Sequence, residues 1–99
     1  MKLRFNRERL SAVCRNYRIR NLAVFGSALR DDFRPDSDVD LLIEFEPTFR
    51  PGLTGLHELE RELSAAFGGH RVDMVNPKYL NRRIRDRILN AAEVQFAEG

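Results

Sequence analysis

The run Ser37-Asp38-Val39-Asp40-Leu41-Leu42-Ile43-Glu44-Phe45 constrains this chain more than any other. Val39, Leu41, Ile43 and Phe45 alternate with Asp38, Asp40, Leu42 and Glu44, and alternation with period two marks a strand that lays one face on a core. A strand over 38–45 turns the first four side chains inward. Its second face opens with two carboxylates. Aspartates two residues apart on a strand project from the same side, with Cβ atoms within ~7 Å of each other. Two like charges that close raise one pKa unless a positive charge intervenes. Magnesium removes the conflict, because it takes hard oxygen ligands and binds through one or two carboxylates together with substrate phosphates.

The flanking sequence supplies the remaining elements. Residues 6–17 carry Leu10, Val13, Cys14 and Tyr17 at helical spacing behind Asn6, a capping residue. Residues 20–25 read as a buried strand through Leu22, Ala23, Val24 and Phe25, which Gly26-Ser27 stops. Residues 28–37, with Pro35 and three aspartates, predict a helical turn followed by a loop. Leu56, Leu59, Leu63 and Phe67 predict a helix over 53–67, ended by Gly68-Gly69. A short strand over 70–75 turns Val72 and Met74 one way and Asp73 the other. A last helix follows Pro77, with Leu80, Ile84, Ile88 and Ala91 on one stripe and Arg82, Arg83, Arg85 and Arg87 on its other faces. The order is helix, strand, strand, helix, strand, helix. It predicts an α/β (α+β) fold, a small mixed sheet with helices packed on one side, in a single domain spanning 1–99. The open side is where Asp38, Asp40 and Asp73 point.

Composition narrows the functional classes. The chain is 42% hydrophobic and 32% charged, enough for a thin core under a soluble surface. A net charge of +2 gives no electrostatic footprint for nucleic acid, and no direct nucleic-acid binding is expected. No run approaches the ~20 apolar residues of a membrane span. The single cysteine, Cys14, falls on the apolar stripe of the first helix. No signal peptide is read at the N-terminus, and the expected location is the cytoplasm.

The chemistry-bearing residues occur in a specific order. Gly26 ends a strand and permits a tight turn, and Ser27 offers a hydroxyl and an N–H where helix starts bind phosphate. Ser37-Asp38-Val39-Asp40 follows some ten residues later. Asp73 arrives on another strand. The bland alternative for Asp73 is an ion pair with Arg71 or Lys78. Three such carboxylates suit two ions ~3.5–4 Å apart, the spacing of in-line phosphoryl displacement. The arginines of the last helix read as a solvated face, with an acidic partner or nucleotide phosphates as their functional alternative. His57 and His70 stand alone and read as surface or core residues.

Val24 to Glu44 resembles the signature of the minimal nucleotidyltransferase domain, a branch of the polymerase-beta-like nucleotidyltransferase superfamily. Gly26-Ser27, Arg30 and Ser37-Asp38-Val39-Asp40-Leu41-Leu42-Ile43 match it, and Val72-Asp73-Met74-Val75 matches the place of the third acid. Asp31 stands where many members have glycine. The resemblance implies Asp38, Asp40 and Asp73 as metal ligands and catalytic residues, with Gly26, Ser27, Arg30 and Ser37 binding the nucleotide. It implies two Mg2+ ions, or Mn2+, as cofactor. Leu29 to Asp38 and Ile84-Arg85-Asp86-Arg87-Ile88-Leu89 are similar to the MntA-type antitoxins of HEPN/MNT toxin–antitoxin pairs. That likeness implies transfer of AMP from ATP to a tyrosine of a HEPN ribonuclease toxin. The alternatives are a non-catalytic antitoxin that masks its partner, and transfer to a small molecule, against which the short length speaks.

Overall fold

The computed structural model describes residues 3–97. Helix α1 (Arg7–Asn16) starts where the Asn6 side chain accepts a hydrogen bond from the Arg9 N–H at 3.0 Å. Strand β1 (Ile19–Phe25) follows, then a 3-10 turn (Gly26–Leu29), strand β2 (Val39–Phe45), helix α2 (Leu53–Ala66) and strand β3 (Val72–Val75). Gly68 and Gly69 take positive φ and close α2, with the Gly69 N–H donating to the Ser64 carbonyl at 2.8 Å. The strand order is β3-β2-β1 with a fourth strand, β4 (Glu93–Ala97), at the far edge. β2 runs parallel to β3 and antiparallel to β1, so the sheet is mixed as expected.

The alternation in β2 sorts its side chains as the sequence implies. Val39, Leu41 and Ile43 join Leu22 and Val24 of β1 in one buried cluster with Leu10, Val13 and Cys14 of α1 and Leu59, Leu63, Ala66 and Phe67 around α2. Burial holds the Cys14 thiol up to about 12, so it stays protonated and inert. On the other face of the sheet Ala23 and Leu42 are buried outside that cluster, whereas Asp38 is exposed and Asp40 half-buried. The second face is thus open where the carboxylates begin.

The C-terminal part departs from the sequence reading in two ways. Pro77 starts a separate 3-10 turn (Pro77–Tyr79), and helix α3 (Arg82–Ala91) begins only after Asn81, whose side chain caps the Arg83 N–H at 3.0 Å. The expected stripe of Leu80, Ile84, Ile88 and Ala91 does not become a core face. Ile84 is 52% exposed, Ala91 is exposed, and α3 contains no buried residue. Arg85 shares the half-buried side with Ile88, since its aliphatic stem can cover apolar surface while the guanidinium reaches water.

The second departure is β4, which the sequence reading lacked. It pairs antiparallel with β1 through Leu22↔Phe96 and Ala23↔Val94, with a register shift between the two pairs. Val94 and Phe96 are two residues apart, yet their partners lie on opposite faces. Phe96 packs on the core while Val94 is 63% exposed. A bulge of this kind erases the period-two signal on which strand recognition rests. No helix among the described residues is long and apolar enough to cross a membrane.

Candidate active site

The three ends that matter meet at one edge of the sheet. β1 stops at Phe25, opposite Asp40 of β2, and Asp40 is in register with Asp73 of β3. Neighbouring strands lie about 4.8 Å apart, so Asp40 and Asp73 stand side by side on the open face. Asp38 lies two residues before Asp40, at the mouth of the strand. Burial raises the Asp40 pKa most, the Asp73 charge adds to it, a hydrogen bond from the Ser27 backbone N–H opposes it, and Asp38 adds a smaller push upward. Asp40 therefore feels both of its acidic neighbours. The ion pairs formed among the described residues do not include Asp73 with Arg71 or Lys78.

Gly26 is required by shape as well as by its φ of +71°. A Cβ there would overlap the Asp40 Oδ2 and come within 3.3 Å of its Cγ. The Asp40 carboxylate rests against bare backbone, and any side chain at position 26 would displace it. The Ser27 hydroxyl donates to the Asp38 carbonyl at 3.2 Å. Gly26 and Ser27 thus touch the carboxylate strand directly, and the turn they open lies beside it.

The other two expected residues hold the loop. Arg30 pairs with Asp32 at 3.5 Å, both side chains mostly exposed. The Ser37 hydroxyl accepts from the Arg34 N–H at 3.1 Å, and the Ser37 N–H donates to the Arg34 carbonyl at 3.0 Å, closing a tight turn just before Asp38. His70, read from sequence as a surface or core residue, has its Nδ1 2.9 Å from the Ser37 carbonyl and its ring 4.9 Å from that of Phe33. Nothing in the spacing announced it, because Ser37 and His70 are 33 residues apart.

Among the described residues no three His, Cys, Asp or Glu side chains already stand in a metal-holding group. Asp40 and Asp73 offer hard oxygens from adjacent strands, and Asp38 is exposed and free to turn toward them. That is an open set, the type magnesium completes with phosphate oxygens rather than with an all-protein cage. The fit is therefore chemical and waits on the nucleotide. A wide cleft of about 880 Å3, lined by Phe45, Phe49, Met74, Lys78 and Arg85, contains none of these residues and lies toward the far ends of β2 and β3.

Comparison with known proteins decides the family. The model of the nucleotidyltransferase domain matches residues 7–94, nearly the whole chain. The chain belongs to the nucleotidyltransferase family. It is 41% identical over 71 residues to the protein adenylyltransferase MntA of Thermococcus cleftensis, covering 72% of this chain and 69% of that protein. A solved structure under the provisional name of minimal nucleotidyltransferase is 34% identical, covers 88% of this chain and 86% of its own, and superposes with a TM-score of 0.70. A toxin–antitoxin structure with AMP-PNP reaches the same TM-score of 0.70 at 17% identity over 94% of this chain and 74% of that one, a likeness of fold. This nucleotidyltransferase has the helices, mixed sheet and enzyme class expected from Val24 to Glu44 and Val72 to Val75.

Proposed function

We propose that this nucleotidyltransferase moves AMP from ATP to a hydroxyl of a protein acceptor, a tyrosine of a HEPN-type ribonuclease toxin, and so acts as its antitoxin. The observation that carries the reading is the placement of Asp40 beside Asp73, with Asp38 at the strand mouth and Gly26-Ser27 against them. The name protein adenylyltransferase on a relative 41% identical, and the toxin–antitoxin pairs among proteins of the same fold, support the acceptor class.

Asp38, Asp40 and Asp73 would hold Mg2+, two ions in the full site, with Mn2+ as a substitute. When bound, the metal neutralises triphosphate charge and lowers the pKa of the acceptor hydroxyl. The acceptor oxygen attacks the α-phosphorus, the bond from that phosphorus to its bridging oxygen breaks, and pyrophosphate leaves with the bonding pair. Asp73, the more exposed carboxylate of the adjacent pair, takes the hydroxyl proton. Ser27 and the amides of its turn grip the terminal phosphates, for which the hydroxyl leaves the Asp38 carbonyl and turns outward. Arg30 reaches the triphosphate by exchanging Asp32 for phosphate oxygens. Ser37 keeps the loop closed beneath the nucleotide. The chain contributes mainly position and charge compensation.

The test is incubation with ATP labelled at the α-phosphate, Mg2+ and the cognate toxin. Label should appear on the toxin, vanish with EDTA, and vanish when the acceptor tyrosine is replaced by phenylalanine. Absence of label under every metal condition overturns transfer.

One observation favours a second reading, neutralisation by masking. Helix α3 is arginine-rich, buries no residue and exposes Ile84 and Leu89 at 52% and 47%. A partner surface with acidic and apolar groups would fit it. An Asp40→Asn variant that still neutralises the toxin would establish masking; loss of neutralisation with retained toxin binding would establish transfer.

A further inference from the structure

The proposed chemistry depends on where Asp38 points, and Asp38 is exposed, so packing does not aim it. Its backbone is another matter. The peptide before it and the peptide after it each present a carbonyl to a side-chain donor. The Ser37 carbonyl meets His70 Nδ1 at 2.9 Å, and the Asp38 carbonyl accepts from the Ser27 hydroxyl at 3.2 Å. The first peptide plane sets φ of Asp38 and the second sets ψ. Fixing both planes fixes the direction in which the Asp38 side chain leaves the backbone.

We infer that His70 is a positioning residue for Asp38: its Nδ1–H holds the Ser37 carbonyl and thereby fixes the backbone from which the Asp38 side chain leaves, so that its carboxylate has only its own side-chain torsions to set when a metal arrives. His70 is itself well held. The Ser64 hydroxyl of α2 donates to the His70 carbonyl at 2.7 Å, and the Phe33 ring packs on the imidazole at 4.9 Å between centroids. One residue on, the Arg71 carbonyl accepts from the Val39 N–H at 2.8 Å, so β2 is clamped on both sides of Asp38. A carbonyl partner requires a proton on Nδ1, and that proton is present both in the Nδ1–H neutral tautomer and in the imidazolium. The tie is thus indifferent to the charge of the ring.

The inference rests on the transferase reading above and sharpens it. When Ser27 turns to grip phosphate, it releases the Asp38 carbonyl, and His70 is the side-chain anchor that stays. Groups that orient a ligand are worth about 10–100-fold in metal affinity or activity.

The experiment compares His70→Asn with His70→Gln. The asparagine amide nitrogen can stand where Nδ1 stands; the glutamine nitrogen falls nearer the Nε2 position. Uptake of Mn2+ is followed by electron paramagnetic resonance, with a non-hydrolysable ATP analogue and no acceptor, and melting temperatures are taken in EDTA. We expect the glutamine variant to need roughly tenfold more Mn2+ for half-saturation, and the asparagine variant to stay near wild type. Equal Mn2+ affinity in both variants, or a lowered melting temperature in both with wild-type affinity, overturns the positioning role alone. Failure of the wild-type protein to take up Mn2+ with the nucleotide overturns the transferase reading and the positioning role together.

Discussion

The edge of the sheet where β1 ends and β2 and β3 begin is tied from several directions, whereas the segment from Pro77 to Ala97 is tied from few. At the first, Gly26 abuts Asp40, Ser27 and His70 hold the carbonyls flanking Asp38, and Arg71 holds the Val39 N–H. At the second, α3 buries nothing and Ile84, Leu89 and Val94 face solvent, while β4 is held by its pairing with β1 and by Phe96 on the core. Order at the first edge comes from polar ties laid over a buried sheet. The C-terminal segment presents surface. Under the proposed function, the first region is the one preset for chemistry and the second the one left for contact.

The largest effect should come from breaking the charged side of the tied edge. Asp38→Asn and Asp40→Asn should each lower AMP transfer on the order of a thousandfold or more, and the double variant little further, since groups acting as a unit are not additive. Neither change opens a core cavity, because asparagine has nearly the volume of aspartate and neither side chain is buried. Label transfer and melting curves on the same preparations check this. Transfer near wild type in any of the three sinks the ligand assignment, and unfolding would move these residues into the scaffold.

Truncations should then separate the two regions by stability. Leu41 is fully buried, and Leu41→Ala should cost about 2–5 kcal/mol through lost transfer energy and an unfilled cavity. Ile84→Ala on the exposed face of α3 should stay within about 0.5 kcal/mol. Urea unfolding monitored by circular dichroism measures both. A cost at Ile84 comparable to that at Leu41 would show that α3 packs in solution and would erase the contrast.

The same contrast explains what the sequence made legible. β2 could be read because Val39, Leu41 and Ile43 line the core face while Asp40 and Glu44 mark the other, a pattern that survives the one buried apolar residue of that second face, Leu42. Asp40 and Asp73 could be paired because each interrupts an apolar run and both runs are strands. α2 could be read from Leu56, Leu59, Leu63 and Phe67 because it covers the core. α3 and β4 carry no such imprint. Its exposure leaves α3 without a single inward stripe, and the bulge against β1 sends Val94 and Phe96 to opposite faces. His70 was invisible for another reason. Its partner is a backbone carbonyl, and a carbonyl leaves no trace in residue type.

A smaller effect is expected from steric intrusion at the tied edge. Gly26→Ala puts a methyl group against the Asp40 carboxylate and forces a non-glycine residue to φ of +71°. The backbone cost is about 1–2 kcal/mol. Activity should fall more than stability, because the methyl group's closest contact is a proposed metal ligand. Parallel measurement of melting temperature and transfer rate checks the split. Wild-type transfer in a folded Gly26→Ala protein would mean that Asp40 can move aside at no cost to catalysis.

The smallest effect is electrostatic and appears only without metal. The Asp40 pKa is raised chiefly by burial and then by Asp73, so the folded protein holds this proton more tightly than the unfolded chain does. Ionising Asp40 therefore costs folded-state stability as pH rises through the window from the ordinary aspartate value of about 3.9 up to the raised folded value. Asp40→Asn abolishes that dependence. In EDTA the variant should match wild type below the window, gain on it through the window, and keep a small lead at neutral pH. With Mg2+ and ATP the order should reverse, because a ligand that binds only the ionised wild-type site stabilises that protein alone. Thermal melts across a pH series in EDTA, repeated with Mg2+ and ATP, read both signs. An asparagine variant less stable than wild type at neutral pH in EDTA would show that the hydrogen bond from the Ser27 N–H outweighs burial and Asp73 together. Asp40 would then be a structural acceptor for the turn before it is a metal ligand.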